Sequence, residues 1–205
     1  MDDYYHDQVT QKSWELLQEL QRVYQFTLIG GWAVYLYTRA LKSKDIDIAV
    51  TLDELGKIKA DFEISKNERL KKYEAHREEI DIDIYVEYYS DPGLPVEALQ
   101  KRVRVVSGFT VPEIEYLLIL KMNAWHERKG SLKGEKDQYD IVALLHAGIN
   151  MAHYIHILHQ YQKEGQREEL AALLAHLVEA PVLNLNEHQF SRLKKVWLKQ
   201  LREKI

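Results

Sequence analysis

The sequence predicts an α+β fold: a small mixed sheet in the first half of the chain and a helical segment in the second. Three observations predict it. Residues 45–51 (DIDIAVT) and Ile80–Val86 (IDIDIYV) alternate polar and apolar side chains with the period of a strand. Shorter apolar runs, bounded by glycine or proline, add further strands before residue 112. From Asn150 onward the pattern is helical, broken only near Gly165 and at Pro181. Strands followed by helices make an α+β arrangement. The expected boundary leaves residues 1–147 as the sheet-bearing domain and 148–205 as a C-terminal helical extension.

Taken in order, residues 8–25 form an amphipathic helix, with Val9, Leu16, Leu17, Leu20 and Val23 at helical spacing. Residues 26–29 are a short buried strand ending at Gly30. Residues 31–41 are helical, with Ala33, Leu36, Tyr37 and Ala40 on one side. The polar turn Lys42-Ser43-Lys44 leads into the strand at 45–51, and residues 52–60 are a short helix. Residues 62–87 are β-rich, with a turn at Lys66-Asn67-Glu68 and the clearest strand at Ile80–Val86. Asp91-Pro92-Gly93 marks a loop. Two short strands bracket Ser107-Gly108. Pro112 suits the first position of a helix running to about Arg128. Gly130 and Gly134 bound a basic loop, and residues 136–147 make the next helix.

Composition limits the function classes. The 205 residues are 46% hydrophobic and 29% charged, which suits a globular protein with a sizeable core. The net charge of -4 offers no global basic field for nucleic acid. With no cysteine there is no disulfide, thiolate metal site or cysteine nucleophile. No apolar run approaches the roughly 20 residues of a membrane helix. The acidic, polar start MDDYYHDQ is unlike a secretory signal. A cytoplasmic protein without a membrane partner is expected.

The chemistry concentrates in two strands. Asp45 and Asp47 share one strand face, about 6.5–7 Å apart, with Ile46 and Ile48 on the other. Two such carboxylates repel unless a cation lies between them. Hard oxygen ligands suit Mg²⁺, or Mn²⁺ in its place. Asp81 and Asp83 repeat the pattern. If the strands are neighbours, three or four carboxylates converge, enough for phosphoryl or nucleotidyl transfer. Either pair taken alone reads as the solvated face of a half-exposed sheet. The repetition, and Gly30-Gly31 one helix earlier, shift the balance. Glycines let a backbone approach a phosphate, and a helix N-terminus offers N–H groups to an anion.

The order Gly-Gly, thirteen residues, Asp-Ile-Asp, then a later strand Asp resembles the nucleotidyltransferase superfamily related to DNA polymerase β. The resemblance implies a sheet core in which Gly30 and Gly31 hold an NTP. It implies metal binding by Asp45 and Asp47, and a third carboxylate that helps activate an acceptor hydroxyl. Asp83, deeper in its strand, is the first choice for the third; Asp81 shares its face and stays a candidate. The family commonly has Ser where this chain has Gly31. A second stretch, Lys121 followed by Lys136-Asp137 and Asp140, resembles the AbiEii toxin branch and its archaeal relatives. There, a helix lysine and a Lys-Asp-x-x-Asp helix lie near the nucleotide, so Lys121 and Asp137 join the cofactor-binding set. Arg39, Lys42 and Lys44 could meet the triphosphate or simply form a solvated basic turn. Asp137 and Asp140 could equally pair with Lys121, a costly residue on the apolar stripe of its helix.

The implied reaction moves an NMP from an NTP to an acceptor hydroxyl on tRNA, protein or a small molecule. In a toxin-like setting an antitoxin would be the partner. The alternatives are a non-catalytic nucleotide- or protein-binding module on the same fold and a metal-dependent phosphohydrolase. His153, His156 and His159 wind around their helix and lack the HExxH arrangement. Trp14, Trp32, Trp125 and Trp197 are expected in the core, with Trp32 able to line a pocket beside the glycine turn. The basic C-terminus is an amphipathic capping helix that could also hold a polyanion.

Overall fold

The structure, a computed structural model, describes residues 2–203, with side chains from residue 7 onward. It divides into two compact units, residues 1–113 and 114–205.

The first unit begins with α1 (Asp2–Val23), which buries Val9, Leu16, Leu17 and Leu20. Val23, expected on the same stripe, is 67% exposed; Tyr24 takes the inward position one residue later. A five-stranded sheet follows, in the order β1-β2-β5-β4-β3. Its strands are β1 (Thr27–Ile29), β2 (Ile46–Val50), β3 (Ile64–Asn67), β4 (Lys72–Arg77) and β5 (Ile80–Val86). β2 and β5 are parallel; the other neighbours are antiparallel. The crossover between the parallel pair carries α3 (Leu52–Asp61) and the β3–β4 hairpin. Lys66 and Asn67, expected in a turn, belong to β3, because they pair with Tyr73 and Lys72. α2 (Gly30–Thr38) lies between β1 and β2 in the chain, and Gly31, Trp32, Ala33, Val34 and Leu36 are buried.

Register follows from burial. Ile46, Ile48, Ile82 and Ile84 are at most 2% exposed. At about 1.5–3 kcal/mol for each buried side chain, a one-residue slip would cost on the order of 6–12 kcal/mol and drive the aspartates into the core.

Further local features depart from the sequence expectation. α4 (Val96–Lys101) was not anticipated, since six residues are too short to show a helical period. Pro112 ends β7 (Phe109–Pro112), which pairs with β6 (Val103–Val106), instead of opening a helix. Its carbonyl accepts from the Tyr37 hydroxyl at 2.7 Å.

The second unit is helical: α5 (Ile114–Glu127), α6 (Leu132–His146), α7 (Met151–Gln160), α8 (Gly165–His176) and α9 (Glu187–Arg202). α6 starts four residues before the expected 136, because Ser131 caps it by accepting from the Gly134 N–H. Gly134 is therefore helical and not part of a loop. A Cβ there would lie 2.2 Å from the Arg128 carbonyl oxygen, so the tight turn between α5 and α6 needs glycine. α9 carries a full capping box, Asn186 with Gln189, and buries Phe190, Trp197 and Leu201. No helix among the described residues is long and apolar enough to cross a membrane.

Candidate active site

The first unit brings the glycine turn and Asp47 into contact. Ile29, the last residue of β1, stands opposite Asp47 on β2. Gly30 then opens α2 with φ +66°, in the left-handed region that favours glycine. A Cβ on Gly30 would lie 2.0 Å from Asp47 Oδ2 and 2.7 Å from its Cβ. Glycine here serves both backbone and neighbour: it takes the turn and leaves room for the carboxylate. Ile29, at the N-cap position of α2, has no side-chain acceptor to cap the helix. An incoming anion could serve the first turn in its place.

The second aspartate pair meets the first through strand register. Asp83 is the direct partner of Asp47 across the parallel β2–β5 pairing. Neighbouring strands lie about 4.8 Å apart, and paired residues project to the same face. On the other side Asp83 pairs with Glu74 of β4. Glu74, Asp83 and Asp47 thus form one row across three strands. Asp45 sits just before β2 and is half-buried, like Asp47 and Asp83. Its charge is felt at Asp83. Asp81 is different: its side chain is 59% exposed, and it holds His76 at 2.6 Å.

Lys72 and Glu74 did not stand out in the sequence, where they are two residues of a ragged, charged stretch. Lys72 has a side chain only 11% exposed and reaches Asp83 Oδ2 at 2.6 Å and Glu74 Oε1 at 3.1 Å. Asn67 Nδ2 donates to the same Glu74 oxygen at 2.9 Å. Burial pushes the Asp83 carboxyl up; Lys72 opposes this, but with Glu74 and Asp45 also raising it the net shift is upward. Burial alone would lower the Lys72 ammonium, yet the two carboxylates hold it above its ordinary range. The Glu74 carboxyl is raised by burial but ends below its ordinary range through Asn67 and Lys72. A spacing that could have flagged Lys72 does not exist, since its partner lies eleven residues away on another strand.

The other candidate residues fall elsewhere. Arg39, exposed at the C-terminus of α2, donates to Ser107 Oγ at 2.6 Å and lies over the Tyr35 ring. Lys44 is half-buried next to Asp45, and Lys42 is exposed. Trp32 is 2% exposed and donates its indole N–H to Ser13. It is core, tilted against Trp14 and edge-on to Tyr35. His159 pairs with Glu164, His153 lies 3.7 Å from Glu115, and His156 is exposed, so these histidines do not converge.

In the second unit, Lys121 lies 2.7 Å from Asp140 and 3.4 Å from Asp137. Arg128 reaches the other Asp137 oxygen at 2.7 Å. Lys121, Asp137 and Asp140 are all buried. Two cations balance two anions, and the network ties α5 to α6.

No protein-family model matches the sequence, and no curated protein does. Solved structures match. A solution structure of the antibiotic-resistance factor ANT(2'')-Ia gives a TM-score of 0.53 at 18% identity, over 83% of this chain and 97% of that one. The fold is nucleotidyltransferase-like. A crystal structure of ANT(2'')-Ia in complex with adenylyl-2''-tobramycin gives 0.51 at 16% identity, over 80% and 99%. An antigenic nucleotidyltransferase-like protein from Paracoccidioides brasiliensis gives 0.42 at 16% identity, over 87% and 98%. At these identities the likeness to the two ANT(2'')-Ia structures is one of fold, and it agrees with the sheet core implied by the glycine turn and aspartate strands.

The donor set suits a divalent cation in kind: Asp47 and Asp83 offer hard oxygens from two adjacent strands, Asp45 stands just before β2, and the Gly30 turn leaves the space beside Asp47 that a Cβ would fill. Their carboxylate oxygens do not all lie within 4.8 Å of one another, so a cation would have to draw them together.

Proposed function

We propose that the chain is a divalent-cation-dependent nucleotidyltransferase, moving an NMP from an NTP to an acceptor hydroxyl. The observation that carries this reading is the register Ile29–Asp47–Asp83, which puts the glycine turn and both aspartate strands in one row. Gly30 and Gly31 receive the triphosphate at the start of α2. Asp45, Asp47 and Asp83 would hold Mg²⁺ or Mn²⁺, which when bound neutralises charge developing on the transferring phosphate. Asp83 accepts the proton of the acceptor hydroxyl; a buried carboxyl with a raised pKa suits that task. The hydroxyl oxygen bonds to the α-phosphorus, the bond to the β-phosphate oxygen breaks, and pyrophosphate leaves. Of Arg39 and Lys44, Lys44 adjoins Asp45, whereas Arg39 is engaged with the β6–β7 turn.

The finer reading places the chain with AbiEii-like toxins, with an antitoxin partner and a tRNA or protein acceptor. Its support is the Lys121 and Lys136-Asp137-x-x-Asp140 pattern alone. In that reading residues 1–147 work as one nucleotidyltransferase domain. A small-molecule acceptor is the alternative, in line with the adenylyl-2''-tobramycin bound to ANT(2'')-Ia. A non-catalytic binding module draws on one observation, the Lys72 ammonium already seated on Asp83.

The test uses each NTP labelled at the α-phosphate, with Mg²⁺ or Mn²⁺, and tRNA, cell extract or aminoglycosides as acceptor. Label should pass to an acceptor, disappear in Asp47→Ala and Asp83→Asn, and persist in Asp81→Asn. Binding of NTP with neither transfer nor pyrophosphate would favour the binding module. Phosphate release without transfer would favour a hydrolase.

A further inference from the structure

We propose that Lys72 is a positioning residue whose ammonium competes with the divalent cation for Asp83, and that Glu74 is the seat to which Lys72 withdraws when the cation arrives. The proposal rests on the nucleotidyltransferase reading and goes one step beyond it.

The geometry is specific. Lysine is rarely buried unless paired, and Lys72 is buried between two carboxylates rather than one. The shorter contact, 2.6 Å, takes Asp83 Oδ2, one of the two oxygens that Asp83 could offer a cation. The longer contact, 3.1 Å, goes to Glu74. Glu74 is next to Asp83 in the sheet row but one strand further from Asp47. A short movement of one flexible side chain therefore transfers the ammonium from one carboxylate to the other without crossing open water.

Glu74 is built to receive it. Asn67 Nδ2 donates to Glu74 Oε1, and the Leu70 N–H donates to Asn67 Oδ1 at 3.0 Å. The β3–β4 turn thus fixes Asn67, Asn67 fixes Glu74, and Glu74 stands ready on the flank of Asp83. With Lys72 on Asp83, that carboxylate is neutralised and oriented while no cation is bound. The charges of Glu74 and Asp45 would otherwise oppose that of Asp83. The same contact sets a threshold for loading, because the cation must displace a charge already in place.

Competition predicts effects of opposite sign at two residues that are not themselves ligands. The probe is Mn²⁺ alone, titrated into the nucleotide-free protein and followed by electron paramagnetic resonance of the free ion. Lys72→Met keeps the length and apolar stem of the side chain and removes the charge. It should bind Mn²⁺ at least ~10-fold more tightly than wild type, as expected when an opposing unit charge a few Å away is lost. Glu74→Gln removes the retreat, pins Lys72 on Asp83, and should weaken Mn²⁺ binding by about 3-fold or more. In transfer assays Lys72→Met should lower kcat by on the order of 10²-fold through loss of Asp83 alignment, with KM for NTP little changed. Lys72→Arg should recover part of kcat.

Circular dichroism and urea unfolding of both variants establish that they fold. Mn²⁺ affinity unchanged or weakened in folded Lys72→Met overturns the proposal while leaving the carboxylate site intact. Tighter binding in both variants also overturns it, since Glu74 would then be no seat for the ammonium. If neither wild type nor Lys72→Met binds Mn²⁺, the nucleotidyltransferase reading fails and the proposal with it.

Discussion

Gly30→Ala is the sharpest test of how the site is built. The substitution adds one carbon, and two costs follow from the structure. The first is backbone: at φ +66° an alanine pays about 1–2 kcal/mol for the left-handed conformation. The second is contact. The new Cβ would start 2.0 Å from Asp47 Oδ2 and must reach ordinary contact near 3.4 Å, a shift of roughly 1.4 Å. Asp47 cannot escape by rotating its side chain, because its own Cβ is only 2.7 Å away. Either the turn or strand β2 has to move, and with it the carboxylate. Misplacement by about 1 Å costs on the order of 10²-fold in rate, or ~2.7 kcal/mol of barrier. Gly108→Ala separates the two costs. Gly108 has φ +86° with nothing within 4 Å of its Cβ position, so it carries the backbone penalty without the contact. Both variants should therefore lose stability, about 1–3 kcal/mol in urea unfolding for Gly30→Ala and less for Gly108→Ala. Only Gly30→Ala should lose Mn²⁺ binding and at least ~10²-fold of nucleotidyl transfer. Gly30→Ala with folded protein and Mn²⁺ affinity within threefold of wild type would refute the claim that the glycine turn and Asp47 form one unit.

Two further outcomes concern stability. Lys121→Met should destabilise the second unit by about 3–5 kcal/mol in urea unfolding, because it leaves Asp140 buried without its cation; adding Asp140→Asn to it should recover part of the loss, and a single-variant loss below ~1 kcal/mol would mean the network is dispensable. Tyr24 donates to Asp61 at 2.5 Å, and burial, reinforced by Asp61, pushes its phenol up to about 12. Since the folded value exceeds the ordinary 10, the associated stability is complete below pH 10 and is lost as pH rises through 12. Absorbance titration at 295 nm should show a late-ionising tyrosine that vanishes in Tyr24→Phe, and an unchanged titration curve would remove this contact from the account.

Much of the first unit was legible in the sequence because its strands are amphipathic. Ile80–Val86 matches its expected bounds, since alternation over seven residues leaves a single register in which every isoleucine faces inward. Short or tightly capped elements were harder to see. α4 spans fewer than two turns, and the start of α6 depends on Ser131 meeting the Gly134 N–H, a contact that exists only once the turn has closed. Pro112 shows the same limit, since a proline that can open a helix can also close an edge strand.

The local sequence was sufficient to specify a glycine turn, a helix, and two strands with aspartates on one face, because turn chemistry and a period of two are properties of neighbouring residues. It could not say which strands are neighbours. The tertiary pairing of β2 with β5 places Asp83 beside Asp47 and leaves Asp81 in solvent with His76. Pairing of β5 with β4 brings Lys72 and Glu74 onto Asp83. Both arrangements come from hydrogen-bond ladders between segments far apart in the chain, and the energy that selects them is the burial of isoleucines on the opposite face. Residue spacing carries no record of that choice.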